Sequence, residues 1–160
     1  MAAHVTRMGK RHLKLAIDVA LSGTFGIDLA LDKATPEERR QLAQGVKLYK
    51  DEIRDLVMFG ELYRLVSPYE NPMASMSYVS KDKKEGVVYI YQIEDGGVPQ
   101  VRLDGLDPKR RYTVREVGLP DKMSPRFLTA TYTGQELMER GLDNPLSSQF
   151  DSAVLRVSAL

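Results

Sequence analysis

The chain of 160 residues contains no cysteine and no tryptophan, and it has no excess of charge of either sign. Without cysteine there is no disulfide framework, no thiol nucleophile and no cysteine-based zinc site. The 23 basic and 22 acidic residues leave a net charge of +1, which gives no general attraction to nucleic acid or to an anionic membrane. We therefore expect no nucleic acid and no membrane among its partners, and no cofactor or metal.

Long apolar runs are absent as well. No stretch approaches the roughly 20 consecutive apolar residues that span a bilayer. The N-terminal residues include Arg7, Lys10, Arg11 and Lys14 without a following apolar segment and cleavage site, so we expect no signal peptide there. The sequence does not indicate the cellular compartment of the protein. With 42% hydrophobic and 28% charged residues, the chain has the composition of an ordinary globular protein.

One strand and one helix are predicted at the front of the chain. Residues 16–21 read Ala-Ile-Asp-Val-Ala-Leu, and so apolar a run predicts a strand buried on both faces, as in a parallel sheet. Residues 1–15 are predicted to be a loop. Because a parallel strand needs neighbours and nothing later repeats the strand–helix pattern, we interpret this unit as the last piece of a larger α/β domain.

A long helix is predicted to begin after Thr35. Thr35 suits the N-cap position, Pro36 suits the first helical position, and Glu38 completes a capping box. Gly60 is expected to end the helix in the left-handed conformation. Apolar residues recur between these ends at helical spacing, which predicts one buried face formed by Leu42, Val46, Tyr49, Ile53 and Leu56.

From Glu61 onward the pattern changes to short β-rich runs. Residues 134–141 predict a short helix, and residues 100–103 are expected to pair with residues 112–116. Strands at this spacing are typical of an antiparallel sandwich of Greek-key type. The predicted strands are residues 62–66, 74–79, 87–93, 100–103, 112–116, 127–131 and 153–160.

Candidate site residues lie in the turn after the predicted strand 16–21. Ser22, Gly23 and Thr24 follow its C-terminal end, which is the end that faces the ligand in parallel sheets. Glycine there lets the backbone approach a ligand closely. His4 and His12 lack the spacing of a helical metal pair and accompany no serine-nucleophile motif. Loop or packing roles are therefore favoured for both histidines.

Tyrosines recur in the predicted strands at positions 63, 78, 89, 91 and 112. Aromatic side chains on a sheet can stack on sugars, but they more often fill a core or pair across strands. The basic run Lys109-Arg110-Arg111 follows Asp107-Pro108. This arrangement favours a charged hairpin turn over a nucleic-acid contact.

Three segments carry a resemblance to a known family. Residues 1–6 read Met-Ala-Ala-His-Val-Thr, residues 19–29 read Val-Ala-Leu-Ser-Gly-Thr-Phe-Gly-Ile-Asp-Leu, and residues 59–68 read Phe-Gly-Glu-Leu-Tyr-Arg-Leu-Val-Ser-Pro. In this order they resemble the end of the catalytic barrel, and the exit into the C-terminal β domain, of the melibiase-type α-galactosidases of glycoside hydrolase family 36. Residues 7–12 depart from the family pattern, as do Ala2, Ile27 and Asp28, which leaves the sugar specificity open.

The resemblance implies an α+β fold. Residues 1–60 would be the end of a (β/α)8 TIM barrel, with a loop, its last βα unit and a long final helix. Residues 61–160 would be the C-terminal antiparallel β-sandwich. The implied reaction is the retaining hydrolysis of terminal α-D-galactosides. Near the barrel mouth, His4 would join Ser22, Gly23 and Thr24 in lining the substrate.

The family's two catalytic aspartates cannot be assigned to this chain. In the family, the nucleophile lies in a Lys-Trp-Asp motif and the acid/base in a Gly-rich Arg-x-Asp motif. Their carboxylates lie about 5 to 5.5 Å apart. The chain has no tryptophan, and the second motif is absent too. No catalytic residue is therefore assigned, and structural roles are favoured for Asp18 and Asp28.

Two functional hypotheses follow. In the first, the chain is a structural part of an α-galactosidase-like enzyme and is inactive alone. Its partners would be an α-galactoside bound through the missing barrel and further copies in a homo-oligomer. In the second, it is an autonomous carbohydrate-binding or protein-interaction sandwich.

Overall fold

The structure is a computed structural model that describes residues 2–6 and 11–160. Met1 and residues 7–10 lie outside the described residues. They include part of the predicted N-terminal loop, residues 1–15, and most of the segment 7–12 that departs from the family pattern. The helices are α1 (Leu13–Leu21), α2 (Pro36–Leu48), α3 (Arg54–Phe59) and α4 (Gly134–Glu139). Among the described residues, no helix is both long and apolar enough to span a bilayer.

Within the described residues, ten strands accompany these helices. They are β1 (Ala2–Val5), β2 (Thr24–Ile27), β3 (Glu61–Val66), β4 (Met73–Val79), β5 (Glu85–Gln92), β6 (Gln100–Val101), β7 (Arg111–Val117), β8 (Ala130–Thr133), β9 (Leu142–Asp143) and β10 (Ser152–Ala159).

Residues 16–21 were predicted as a strand, and this prediction is wrong because they lie in helix α1. A short apolar run cannot by itself distinguish a buried strand from a buried helix. Here the segment is a helix buried on more than one side, because Ile17, Ala20 and Leu21 pack among the other helices and the sheet. Val19, on the outer side, is 42% exposed.

The parallel strands of this region are β1 and β2, which flank α1. Ala2 pairs with Thr24 and Val5 with Ile27. Strand β1 lies in the predicted N-terminal loop, so that prediction is wrong for residues 2–5. The strand–helix pattern therefore occurs twice, as β1–α1 and β2–α2, where the sequence predicts it once.

The predicted start of the long helix is confirmed. The Glu38 backbone N–H donates to Thr35 Oγ1 at 3.2 Å, and the Thr35 N–H donates to Glu38 Oε2 at 2.8 Å. A π-helical turn, Tyr49–Ile53, joins α2 to α3. This turn keeps the predicted apolar face on one side, because Leu42, Tyr49, Ile53 and Leu56 are all buried.

Gly60 ends α3 in an extended conformation, with φ −76° and ψ 166°, and not in the predicted left-handed one. Close packing explains the glycine. A Cβ atom at this position would lie 2.5 Å from the Leu56 carbonyl oxygen and 3.0 Å from that of Val79. The chain turns here from α3 directly into β3.

The main sheet has six strands in the order β3-β4-β5-β10-β7-β8, with antiparallel neighbours throughout. The last strand of the chain, β10, thus lies in the middle. The predicted pairing of residues 100–103 with 112–116 is wrong, since β6 pairs with β9 and β7 pairs with β10 and β8. In place of a full second sheet, the described residues form the β6–β9 ladder, two residues long on each strand.

Both faces of the main sheet are buried. One face, with Val88, Ile90 and Leu155, packs under β6, β9, α4 and the loops around them. The other face, with Val87, Tyr89 and Val154, packs against α1, α2 and α3. This explains why the residues of β5 are almost continuously apolar, since a strand covered on both faces has no side that must be polar.

Candidate functional site

The parallel β1–β2 pair has one covered and one open face. Val5, Phe25 and Ile27 turn to the helices, where the ring of Phe25 lies 5.5 Å from that of Tyr49. Side chains alternate along a strand, so Ala2, His4, Thr24 and Gly26 form the other face, which we call the open face. No other strand pairs with β1 or β2 within residues 2–6 and 11–160.

His4 and Gly26 lie side by side on the open face, in register on the two strands. A Cβ atom on Gly26 would lie 2.1 Å from His4 Cδ2 and 2.7 Å from its Nε2. The imidazole ring of His4 therefore occupies the space above Gly26 that the side chain of any other residue would fill. The sequence does not select Gly26 as a site residue, and only the strand register shows that it neighbours His4.

The four predicted site residues fall into two groups. His4 and Thr24 are exposed on the open face. Ser22 and Gly23 are buried where α1 ends and before β2 begins, and Ser22 Oγ donates to the Val19 carbonyl at 2.8 Å. They precede the N-terminal end of a strand, because the residues before them form a helix. Their lining of a substrate stays a prediction.

The carboxyl ends of the two strands meet at the opposite end of the pair. The Asp28 backbone N–H donates to the Val5 carbonyl at 3.0 Å and closes this end. The side chain of Asp28 is exposed there. If the pair belongs to a larger parallel sheet, Thr6 and Asp28 stand at the edge where ligands bind.

Three sheet tyrosines hold the C-terminal end of α1. Tyr89 Oη donates to the Leu21 carbonyl at 2.8 Å, Tyr78 Oη to that of Ser22 at 3.0 Å, and Tyr91 Oη to that of Asp18 at 3.1 Å. The last carbonyls of a helix need such partners. Burial raises the pKa of Tyr89 and of Tyr91, so both phenols remain protonated donors.

A buried ion pair ties α1 to the central strand β10. Lys14 Nζ lies 2.5 Å from Asp18 Oδ2 and also donates to the Ser152 carbonyl at 2.9 Å. Ser152 Oγ donates to the same Asp18 oxygen at 2.7 Å. Burial raises the pKa of the Asp18 carboxyl, while Lys14 and Ser152 oppose that effect. Asp18 thus has a structural role, as the sequence favours.

The raised pKa of Asp18 predicts an unusual pH dependence of stability. The folded protein keeps the Asp18 proton at pH values where the unfolded chain, near its ordinary 3.8, has lost it. Asp18 therefore contributes most stability below pH 3.8 and loses it as the pH rises through the folded-state pKa. We expect the unfolding free energy of the wild type minus that of Asp18→Asn to decrease across this window in urea titrations. An increase would contradict the assignment.

A metal centre has no basis in the described part of the chain, where no group of three or more His, Asp or Glu side chains could hold an ion. Of the two acids that the sequence singles out in this part of the chain, Asp18 is buried and paired with Lys14. Asp28 alone remains available, and the retaining hydrolysis of a glycoside needs two carboxylates.

Comparison with known proteins gives a family match. The family model described as "Glycosyl hydrolase family 36 C-terminal domain" matches residues 73–157. Alpha-galactosidase AgaA of Geobacillus stearothermophilus is 35% identical over 170 aligned positions, which cover 100% of this chain and 22% of that protein. Alpha-galactosidase C of Emericella nidulans is 31% identical over 96% of this chain and 17% of that protein.

Solved structures agree with these matches. The crystal structure of AgaA in complex with raffinose superimposes with a TM-score of 0.85 at 33% identity, over 100% of this chain and 22% of that one. The α-galactosidase of Lactobacillus brevis gives a TM-score of 0.83 at 30% identity, again over 100% and 22%. The chain thus spans about a fifth of the length of the curated relatives it matches.

Proposed function

Because the chain belongs to glycosyl hydrolase family 36, we propose that it forms the C-terminal part of a retaining glycosidase that hydrolyses terminal α-D-galactosides. Its own contribution is structural: it completes and supports the catalytic domain. The chemistry itself requires a nucleophile and an acid/base carboxylate. The sequence motifs that carry them in this family lie outside these 160 residues.

The observation that carries this proposal is the β1–β2 pair. Parallel strands occur almost only in sheets with several members, joined through helices that cover them. Here α1 connects the strands, the helices cover one face, and the other face is open. We assign β1, α1, β2 and α2–α3 to the last two βα units of a (β/α)8 barrel, with the open face toward its interior.

Within this barrel, the predicted site residues have different roles. His4 and Thr24 point inward from the open face, which supports their lining of the barrel interior. Ser22 and Gly23 lie at the amino end of β2, away from the end where such barrels bind substrate. For these two residues, burial favours support of the strand.

The six-stranded sheet forms the second part, from residue 61 onward, in the proposed division at residues 1–60 and 61–160. Its contacts with the barrel part are extensive, since Val87, Tyr89 and Val154 share one core with Ile17 and Ile53. Through the tyrosine hydrogen bonds, the sheet holds α1 and thus the start of β2. We propose that the sheet domain acts as a rigid support for the last barrel strands.

The purified chain is expected to show no hydrolysis of 4-nitrophenyl α-D-galactopyranoside, because it does not contain the two catalytic carboxylates. Release of nitrophenol, followed by absorbance, measures this. Turnover above a buffer control that disappears with Asp28→Asn would overturn the structural role.

A chimera provides the matching positive test. The C-terminal segment of AgaA that aligns with this chain is replaced by the chain itself, and AgaA truncated before that segment is the control. We expect the chimera to hydrolyse the aryl galactoside and the truncated enzyme to be inactive. A chimera that folds, by circular dichroism, but is no more active than the truncated enzyme would contradict the proposal.

One observation favours a second candidate function, carbohydrate binding by the sheet domain itself. A groove of about 840 Å³ lies beside strands β3 and β4. Assembly into a homo-oligomer stays a prediction. The apolar side chains of Met58, Phe59 and Leu62, all more than two-fifths exposed, are the surface where we expect it.

A further inference from the structure

We propose that the groove beside β3 and β4 is a non-catalytic binding site for a neutral oligosaccharide, with one sugar ring stacked on Tyr69. The site is separate from the open face of the barrel strands. The choice of galactosides as the ligand rests on the proposed function, whereas the assignment of a sugar site rests on the groove itself.

The groove has a built frame. Strand β3 ends at Val66, and residues 67–71 lead from its end toward β4, which begins at Met73. This turn is held by Asn71 Nδ2, which donates to the Ser67 carbonyl at 3.0 Å. The facing wall contains Gln100 of β6, whose side-chain amide donates to Asp143 Oδ1 at 3.3 Å. A volume of about 840 Å³ lies within the usual range for ligand sites.

Tyr69 is the most unusual residue of this groove. Tyr69 is 96% exposed at the tip of the turn. The other exposed large hydrophobic residues that the structure describes are each less exposed than this. A tyrosine ring offers a flat apolar face together with a polar hydroxyl. The apolar face of a pyranose ring can lie on such a surface while its hydroxyls point toward the groove.

The polar side chains of the lining suit sugar hydroxyls. Arg64 and Arg102 both line the groove, and neither guanidinium makes a hydrogen bond or ion pair with the described residues. Each guanidinium presents several N–H donors in one plane. Glu70 and Asn71 add acceptors on the turn. Donors and acceptors around an apolar floor are the arrangement that orients a small polar ligand.

The number of carboxylates in the groove supports binding of a sugar there and not its hydrolysis. Glu70 is the one carboxylate among the described residues that line the groove, and two carboxylates are needed to hydrolyse a glycoside by either of the usual routes. The groove therefore retains a sugar chain without cleaving it. In an α-galactosidase, such a site would hold an oligosaccharide near the enzyme.

The test is a titration of the whole 160-residue chain with stachyose, followed by two-dimensional amide NMR. We expect saturable shifts confined to residues around the groove, such as Arg64, Asn71 and Gln100. Tyr69→Ala should weaken the association constant about tenfold, by loss of the stacking surface, whereas Tyr69→Phe should keep most of it. Phe59→Ala is the matched control, because Phe59 is a 68% exposed aromatic residue outside this groove, and it should leave binding unchanged.

Three outcomes would overturn the proposal: no saturable shift at the groove, equal binding by Tyr69→Ala and wild type, or at least tenfold preference for trigalacturonate over stachyose. The last would show that the arginines select a carboxylate. Because Tyr69 is exposed, its substitution should leave the amide spectrum dispersed, so a loss of binding is not a loss of fold. Failure of this test leaves the chimera result unaffected, and the two proposals are thus distinguished.

Discussion

Replacing Asp18 with alanine, at a pH above the folded-state pKa of Asp18, is expected to lower the free energy of unfolding by about 3–5 kcal/mol. The substitution leaves the Lys14 ammonium buried without its counter-ion, and it removes the acceptor of the Ser152 hydroxyl. Both groups then carry a desolvation cost that no new contact offsets. Urea denaturation followed by circular dichroism measures the change.

A paired substitution separates the cost of an unpaired charge from the worth of the pair. Replacing both partners, Lys14→Met with Asp18→Leu, removes the two charges together, and buried pairs exchanged in this way are often neutral or more stable. We expect the double variant to be more stable than Asp18→Ala. Lys47→Met, which breaks an exposed pair with Asp51, should leave the stability almost unchanged, because water and salt screen exposed pairs. If Asp18→Ala cost no more than Lys47→Met, Lys14 would have reached solvent and the buried pair would be excluded.

Replacing Tyr78, Tyr89 and Tyr91 together with phenylalanine is expected to cost at least about 3 kcal/mol. Each loss leaves a carbonyl at the end of α1 without its donor, and an unsatisfied buried group costs about 1–3 kcal/mol. The rings themselves remain, so the apolar contacts are kept. Besides lower stability in urea, we expect faster amide hydrogen exchange in α1, since the helix loses its attachment to the sheet.

Tyr63→Phe is the matched control for this experiment. Its hydroxyl donates to Glu61 Oε2 at 2.7 Å in an exposed position, and its loss should change stability by a few tenths of a kcal/mol. An equal effect of the triple variant and of Tyr63→Phe would mean that water satisfies the carbonyls of α1. In that case, the sheet would not act as the support of the barrel strands.

Short sequence patterns predicted correctly the elements whose conformation depends mainly on residues close together in the chain. The Thr35-Pro36-Glu37-Glu38 start predicts a capped helix, and the structure contains both hydrogen bonds of the capping box. The runs at residues 74–79 and 87–93 predict two strands, and the structure forms β4 and β5 there as an antiparallel pair. In both cases, the information lies within a few residues of the element.

The candidate site was only partly accessible from the sequence. His4 and Thr24 follow from the family resemblance and the glycine-containing turn, and both lie on the open face. Gly26 was not selected, because its role depends on a neighbour 22 positions away in the sequence, on another strand. The groove with Tyr69 was also missed, since its lining comes from residues 64–71 and 74–76, from Tyr91 and from the segment around Gln100, and no local pattern joins them.

Composition and local pattern by themselves determined the absence of thiol chemistry, the near-neutral charge, the position of the long helix and most β-strands. They also carried the resemblance to family 36, which comparison confirmed. Tertiary structure alone decided that residues 16–21 form a helix, that β10 enters between β5 and β7, and that the tyrosines cap α1. The physical reason is that these features depend on burial and pairing between distant segments, and an apolar run is equally suited to a helix or a strand until its neighbours are in place.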